Sequence, residues 1–195
     1  GLKTLTVIQN TLNEVEKKCE WMYQTTHTDG TMARVNYIVW SDIFNCGSCS
    51  GQINFWEVAF DAENNKVKPK FKCPYCSYDL DKKSLTPIFD TYYDTRLSET
   101  KKIVKQTPVL INYNVGRKKY DKKPDAKDFD LIRKVSELQI TDWVPSSRMM
   151  EGQETRRNDS KGLTHVHHYY TKRNLIILSK LKQNLSSIQQ RLLFN

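Results

Sequence analysis

Cys46-Gly47-Ser48-Cys49 and Phe71-Lys72-Cys73-Pro74-Tyr75-Cys76 decide the reading of this chain, and 23 residues separate the two C-x-x-C pairs. Each pair brings two thiolates within reach of one ion, and both pairs together complete a tetrahedral four-sulfur shell. Zn²⁺ favours that shell, with Zn–S bonds of about 2.3 Å and no position left open for a substrate. The separation exceeds the usual ribbon spacing of about 15–20 residues, and the sequence between the pairs accounts for the excess. Gln52 to Phe60 reads as a strand, Asp61-Ala62-Glu63-Asn64-Asn65 as a turn, and Lys66 to Lys72 as a returning strand. Such a hairpin carries the second knuckle back beside the first. Local disulfides are the alternative, and the absence of a secretory signature argues against them. A thioredoxin-like redox pair would need a βαβ setting, which is missing. The expectation is a structural zinc ion held by Cys46, Cys49, Cys73 and Cys76.

Upstream, Leu5, Ile8, Leu12, Val15, Cys19 and Met22 recur at three- and four-residue steps, the stripe of an amphipathic helix. Thr28-Asp29-Gly30 ends it, and Val35, Tyr37 and Val39 alternate along a strand that leads into the first knuckle. Downstream, Ser84 to Tyr93 reads as a short helix and connector, and Glu99 to Lys105 as a further helical turn. Pro108 to Val115 reads as a strand, with Lys118-Lys119-Tyr120 pairing back across Gly116. Pro124 and Asp125 open a helix whose buried face is Phe129, Ile132, Val135 and Leu138. The polar stretch from Ser146 to Gly162 reads as an exposed loop. Thr171 then caps a last helix with Leu175, Ile176, Leu178, Leu181, Leu185, Ile188 and Leu192 inward.

The expected fold is α+β: a four-cysteine zinc ribbon of β-hairpins attached to a small mixed α/β region, with long amphipathic N- and C-terminal helices packed together. The segments are an N-terminal helix over 1–30, the ribbon over 31–83, the mixed region over 84–145, and a basic loop with the last helix over 146–195. The start at Gly1 and the end within a helical pattern suggest an excised piece of a larger protein.

With 31 basic against 22 acidic residues, the net charge of +9 favours a polyanionic partner, nucleic acid foremost. No stretch approaches the roughly 18 apolar residues of a membrane span, and a reducing cytoplasm suits unpaired thiols. Cys19, on the apolar stripe, is expected in the core.

Three basic groups stand out. Lys66, Lys68, Lys70 and Lys72 alternate along the second ribbon strand and would project from one face. Arg117, Lys118, Lys119, Lys122 and Lys123 surround Tyr120 near a turn. Arg148, Arg156, Arg157 and Lys161 lie in the long loop, followed by Lys172 and Arg173 at the start of the last helix. Lysine supplies salt-sensitive phosphate attraction, and arginine can also make paired hydrogen bonds to a guanine edge. Arg148, Arg156, Arg157, Lys161, Lys172, Arg173, Lys118 and Lys119 are the candidate DNA contacts; a solvated face is the plainer alternative for each group. His165, His167 and His168 form H-x-H-H, which could join a metal, but further ligands are lacking and packing or hydrogen bonding is favoured. The chain has no glycine-rich phosphate loop. No paired acid or nucleophile–base arrangement is visible either, so no catalytic residue is assigned.

Several strings also carry a resemblance. Val39-Trp40-Ser41-Asp42-Ile43-Phe44, Ile53-Asn54-Phe55-Trp56, F-K-C-P-Y-C and Pro108-Val109-Leu110-Ile111-Asn112-Tyr113 are four of them. Arg148-Met149-Met150-Glu151-Gly152, Arg156-Arg157-Asn158-Asp159 and T-H-V-H-H-Y-Y-T-K-R-N-L from Thr164 to Leu175 continue the likeness. Together they resemble an insertion in certain prokaryotic adenine-specific-type (amino) DNA methyltransferases, across nearly the whole chain. The resemblance implies a restriction-modification setting in which the parent enzyme methylates an exocyclic amino group using S-adenosylmethionine. In that family an F-x-G-x-G cofactor motif precedes this region and a D-P-P-Y/F catalytic motif follows it. Neither occurs here, so S-adenosylmethionine would bind only the parent enzyme and this region would not itself be catalytic.

The enzyme must turn a base out of the duplex and therefore needs a second surface to grip and read DNA. A zinc-stapled basic insertion suits that target-recognition role, with duplex DNA and the methyltransferase catalytic domain as partners. The alternative is a protein-docking ribbon module that contacts that catalytic domain or a partner subunit, with Trp40 and Trp56 as anchors. Ser50 and Ser77 stand where knuckles often carry glycine, a departure that other residues can accommodate at modest cost.

Overall fold

A computed structural model describes residues 2–194. The chain begins with α1 (Leu2–Cys19), a 3₁₀ turn and β1 (Gln24–Thr26), then the 15-residue β2 (Met32–Cys46). The ribbon follows: β3 (Gln52–Asn54), α2 (Phe55–Ala59), β4 (Phe60–Asp61), β5 (Lys66–Val67), β6 (Phe71–Lys72), β7 (Asp79–Leu80) and β8 (Leu85–Pro87). Next come β9 (Phe89–Asp94), β10 (Glu99–Val104), β11 (Gln106–Val115), β12 (Lys118–Lys122) and α3 (Ala126–Glu137). The chain closes with α4 (Gln153–Arg157), α5 (Lys172–Asn184) and α6 (Ser187–Phe194).

The architecture is α+β around a curled antiparallel sheet ordered β1-β2-β11-β12. β2 organises everything else. Its first part pairs with β1 and β11, and its last residues, Ile43 to Cys46, pair with β3 and β8. One uninterrupted strand therefore leaves the sheet and ends on the first metal-type cysteine. The β2–β11 ladder shifts register between Pro108 and Leu110, where proline offers no N–H to continue the ladder.

Three apolar clusters hold this frame. In the ribbon, Phe44, Ile53, Ala59, Phe71, Leu80 and Leu85 pack around Cys46 and Cys73. On the sheet, Ala33, Val35, Ile111 and Tyr113 meet. In the helical layer, Val15, Cys19 and Met22 pack with Val135, Ile176 and Leu181. α1 thus packs on α5, as the paired stripes require. Cys19 is a core residue, and burial raises its thiol pKa above the ordinary value. Among the described residues no helix is long and apolar enough to cross a membrane.

α3 starts where the Pro124-Asp125 signal places it. Asp125 accepts the N–H groups of Lys127 and Asp128, and Asp128 accepts the N–H of Asp125, a reciprocal cap. The buried Asp128 also takes the Thr25 hydroxyl at 2.6 Å and the Lys122 ammonium at 2.8 Å, so the cap bolts α3 to β1 and β12.

Several local expectations are corrected. Gln52 to Phe60 is not one strand, because α2 interrupts it. Lys66 to Lys72 forms two short pairings, Lys66–Val67 with Phe60–Asp61 and Phe71–Lys72 with Asp79–Leu80, so no continuous strand aligns the four lysines on one face. Ser84 to Tyr93 and Glu99 to Lys105 are chiefly strands, β8, β9 and β10, rather than helix. The 146–162 stretch holds α4 and a 3₁₀ turn, and Arg148 bridges to His165. The last helix breaks at Leu185, which leaves Ile188 and Leu192 exposed, as are Leu5 in α1 and Phe129 in α3.

Candidate metal centre and basic surfaces

The two knuckles fold alike. Cys46 donates its N–H to Gly51 O at 2.9 Å, and Ser50 returns its N–H to Cys46 O at 2.9 Å. In the second, Cys73 donates to Tyr78 O at 2.9 Å and Ser77 to Cys73 O at 3.0 Å. Closing each loop so tightly requires a left-handed residue, and Ser50 and Ser77 supply it at φ 58° and 59°. The knuckles also touch. Tyr75 lies over Gly51, where a Cβ would come within 2.5 Å of the ring, and its hydroxyl donates to Gln52 O at 2.9 Å.

All four sulfurs converge within 4.8 Å of one another. Cys46 Sγ lies 3.9 Å from Cys76 Sγ, and Cys49 Sγ lies 3.7 Å from Cys73 Sγ. Sulfurs about 2.3 Å from a central ion in a tetrahedron are themselves about 3.8 Å apart, so the donor set fits zinc in kind and in size. Cys46 and Cys73 are buried while Cys49 and Cys76 face outward. The Ser48 N–H points at Cys46 Sγ from 3.4 Å.

Two of the thiols shift in opposite directions. Burial opposes charge on Cys73, but the N–H groups of Cys76 and Tyr75 outweigh it and lower its pKa to about 7. At Cys49 the Gly51 N–H favours the thiolate, yet burial and the three neighbouring sulfurs push the pKa up to about 12. An ion of charge +2 would replace those protons. An ion held by all four sulfurs would keep no position open for a substrate.

A second cluster went unread in the sequence because its centre is Asp94. The Asp94 carboxylate is buried and receives the Arg96 and Leu97 N–H groups on Oδ1 at 2.9 and 3.2 Å. Its Oδ2 lies 2.8 Å from His167 Nε2 and 2.9 Å from His168 Nε2. Burial opposes its charge, but these donors hold its pKa well below the usual range. Two histidines and a carboxylate resemble an open metal shell, but the outer hydrogen bonds argue otherwise. His168 Nδ1 accepts the N–H groups of Thr164 at 3.1 Å and His165 at 3.3 Å. Its one proton therefore sits on Nε2 and points at Asp94, where a metal would have to be. A ligating histidine instead donates through its outer nitrogen. Asp94 is thus an anchor that ties the 166–169 turn to the β9–β10 hairpin, and the H-x-H-H segment is a hydrogen-bonding element. An aspartate opening an Asp94-Thr95-Arg96-Leu97 turn was the available signal.

The candidate DNA contacts divide sharply. Arg148 and Arg156 both bond Asp159 Oδ2, at 2.9 and 3.1 Å, and Arg156 also donates to Met149 O and Met150 O. Arg157 pairs with Glu154, and Lys161 lies 3.6 Å from Asp42. These four are committed to internal carboxylates. Lys172 is half-buried, and burial lowers its pKa. Arg173 is buried against Tyr23. Arg117, Lys118 and Lys119, at the β11–β12 turn, are exposed and have no ion pair among the described residues. Trp56 is half-buried and stacks on Phe60. In comparisons with protein-family models, curated proteins and solved structures, the chain finds no match.

Proposed function

We propose that this chain is a zinc-stapled, DNA-contacting recognition unit of an S-adenosylmethionine-dependent DNA methyltransferase, with the catalytic domain elsewhere in the parent enzyme. The observation that carries the structural-zinc part is the convergence of Cys46, Cys49, Cys73 and Cys76 at tetrahedral spacing. A closed shell stabilises a fold and does no chemistry on a substrate. The net charge of +9, with exposed cations at Arg117, Lys118 and Lys119, supports a polyanionic partner. The methyltransferase setting rests on the resemblance of the 39–44, 148–159 and 164–175 strings.

In this reading the turn cations attract phosphate, while the loop arginines are held by Asp159 and Glu154. The test is a titration of the zinc-loaded chain with duplex DNA across salt concentrations. Affinity should fall steeply with salt, and Lys118→Ala/Lys119→Ala should reduce the log–log slope by about 2. Affinity that ignores salt would overturn the reading. The exposed Tyr75 and Tyr78 on the second knuckle favour one alternative, docking of the ribbon on the catalytic domain. Co-purification with that domain, with no DNA binding at low salt, would select it.

A further inference from the structure

Arg173 presents an unusual electrostatic situation. Only 8% of it is exposed, yet among the described residues its guanidinium has no carboxylate or carbonyl partner. The Tyr23 ring lies 5.1 Å from the guanidinium carbon. An aromatic face attracts a cation but accepts none of the five N–H groups that a guanidinium presents. A buried charge without a counter-charge is strongly unfavourable, and arginine does not escape by losing its proton.

The residue sits in the first turn of the 13-residue α5. Thr171 occupies the N-cap position, but its side chain makes no capping bond, and Leu175 is the first residue whose N–H reaches a carbonyl, Thr171 O at 3.0 Å. The helix therefore opens with unsatisfied N–H groups and the positive end of its dipole. Arg173 and this open turn border the same recess, of about 180 Å³, lined along β2 by Asn36, Tyr37 and Trp40. No acidic residue lines it. Tyr23, which helps to line it, is held by a 2.6 Å hydrogen bond from its hydroxyl to Asn174 Oδ1.

We infer that this recess binds a phosphate group, with the Arg173 guanidinium and the free N–H groups of the α5 first turn as donors. A phosphate oxygen pair matches the arginine fork, and a helix N-terminus is a ready anion site. The volume admits a phosphate with part of its ester. Exposed Tyr37, on the rim, offers a ring to whatever group the phosphate carries. The inference deepens the DNA reading and rests on it only for the source of the phosphate, a backbone phosphodiester rather than a free ion.

The test follows thermal unfolding of the zinc-loaded chain in chloride and in inorganic phosphate at matched ionic strength. Phosphate should raise Tm of the parent chain. Arg173→Met, which removes the stranded charge and keeps the bulk, should melt at an equal or higher temperature in chloride and lose most of the phosphate effect. An equal phosphate effect in both proteins, as general exclusion from the surface would give, overturns the inference. If Arg173→Met does not fold, Arg173→Lys decides, since a full response without the fork also overturns it. In a duplex titration Arg173→Met should bind at least about tenfold more weakly. Loss of the phosphate effect with unchanged duplex affinity keeps the recess and assigns it to free phosphate. A failed Lys118/Lys119 salt test with the phosphate effect intact removes the DNA reading alone.

Discussion

Ser50 and Ser77 occupy equivalent positions in two separate knuckles, at φ 58° and 59°, and each donates its N–H to the carbonyl of the cysteine four residues earlier. Serine tolerates this conformation with some strain, and a β-branched residue does not. Ser50→Val should therefore destabilise the ribbon by about 2 kcal/mol. Ser50→Gly should stay within about 0.5 kcal/mol, because relieved strain offsets the added freedom of the unfolded chain. The chelator concentration that half-releases the metal reads both.

Metal removal should unfold part of the molecule and spare the rest. The ribbon core contains two of the cysteines themselves, whereas Val35, Ile111 and Tyr113 hold the sheet without them. Elemental analysis should find one zinc per chain, lost in Cys46→Ala/Cys73→Ala. Hydrogen exchange after chelation should accelerate across β3 to β8 while β11 stays protected.

The Asp94 anchor predicts acid sensitivity. Burial lowers the pKa of His168, and the like charge of His167 adds to it against the pull of Asp94; burial also lowers His165. Below the ordinary histidine pKa of about 6.5 the unfolded chain thus binds more protons than the folded one. Stability is complete above that pH and declines as pH falls through it. Asp94, whose own pKa is depressed, adds a further loss below about 4. Thermal unfolding from pH 7.5 down to 5 should show the first decline, and His168→Gln should flatten it. Asp94→Ala, which strands two imidazole donors, should cost about 3 kcal/mol at neutral pH.

Arg156 is a brace. It gathers Met149 O, Met150 O and Asp159 around the start of α4. Arg156→Ala should cost about 2 kcal/mol and expose the 148–162 segment to proteolysis, whereas Arg157→Ala, at an exposed pair, should cost under about 1 kcal/mol.

Gly162 ends the following turn at φ 87°, where a Cβ would lie 2.0 Å from Lys102 O on β10. Gly162→Ala has no room and the wrong backbone geometry. It should cost about 3 kcal/mol, measured by denaturant unfolding.

The cysteine centre was legible because its signal is local: two short spacings and two turns. The Pro124-Asp125 helix start was legible for the same reason. The β9–β10 hairpin was not, since most β9 residues are exposed and no apolar alternation marks it. The break between α5 and α6 carried a readable sign in Ser186 and Gln189, which cap one another: the Ser186 N–H donates to Gln189 Oε1 at 2.8 Å and the Gln189 N–H to Ser186 Oγ at 3.4 Å. The leucine stripe running through it masked that sign. The loop arginines misled in another way. Composition records their charge but not that they pair with Asp159 and Glu154, because ion pairing depends on folded geometry.

β2 has a mechanical implication. Its residues Asn36 and Tyr37 line the recess beside Arg173, and its final residue is Cys46. Ten residues of extended chain span about 33 Å, so a single rod joins the four-sulfur cluster at one tip to the recess near the other. Tension or slack introduced at the sulfur end has a direct covalent route to the residues that line the recess.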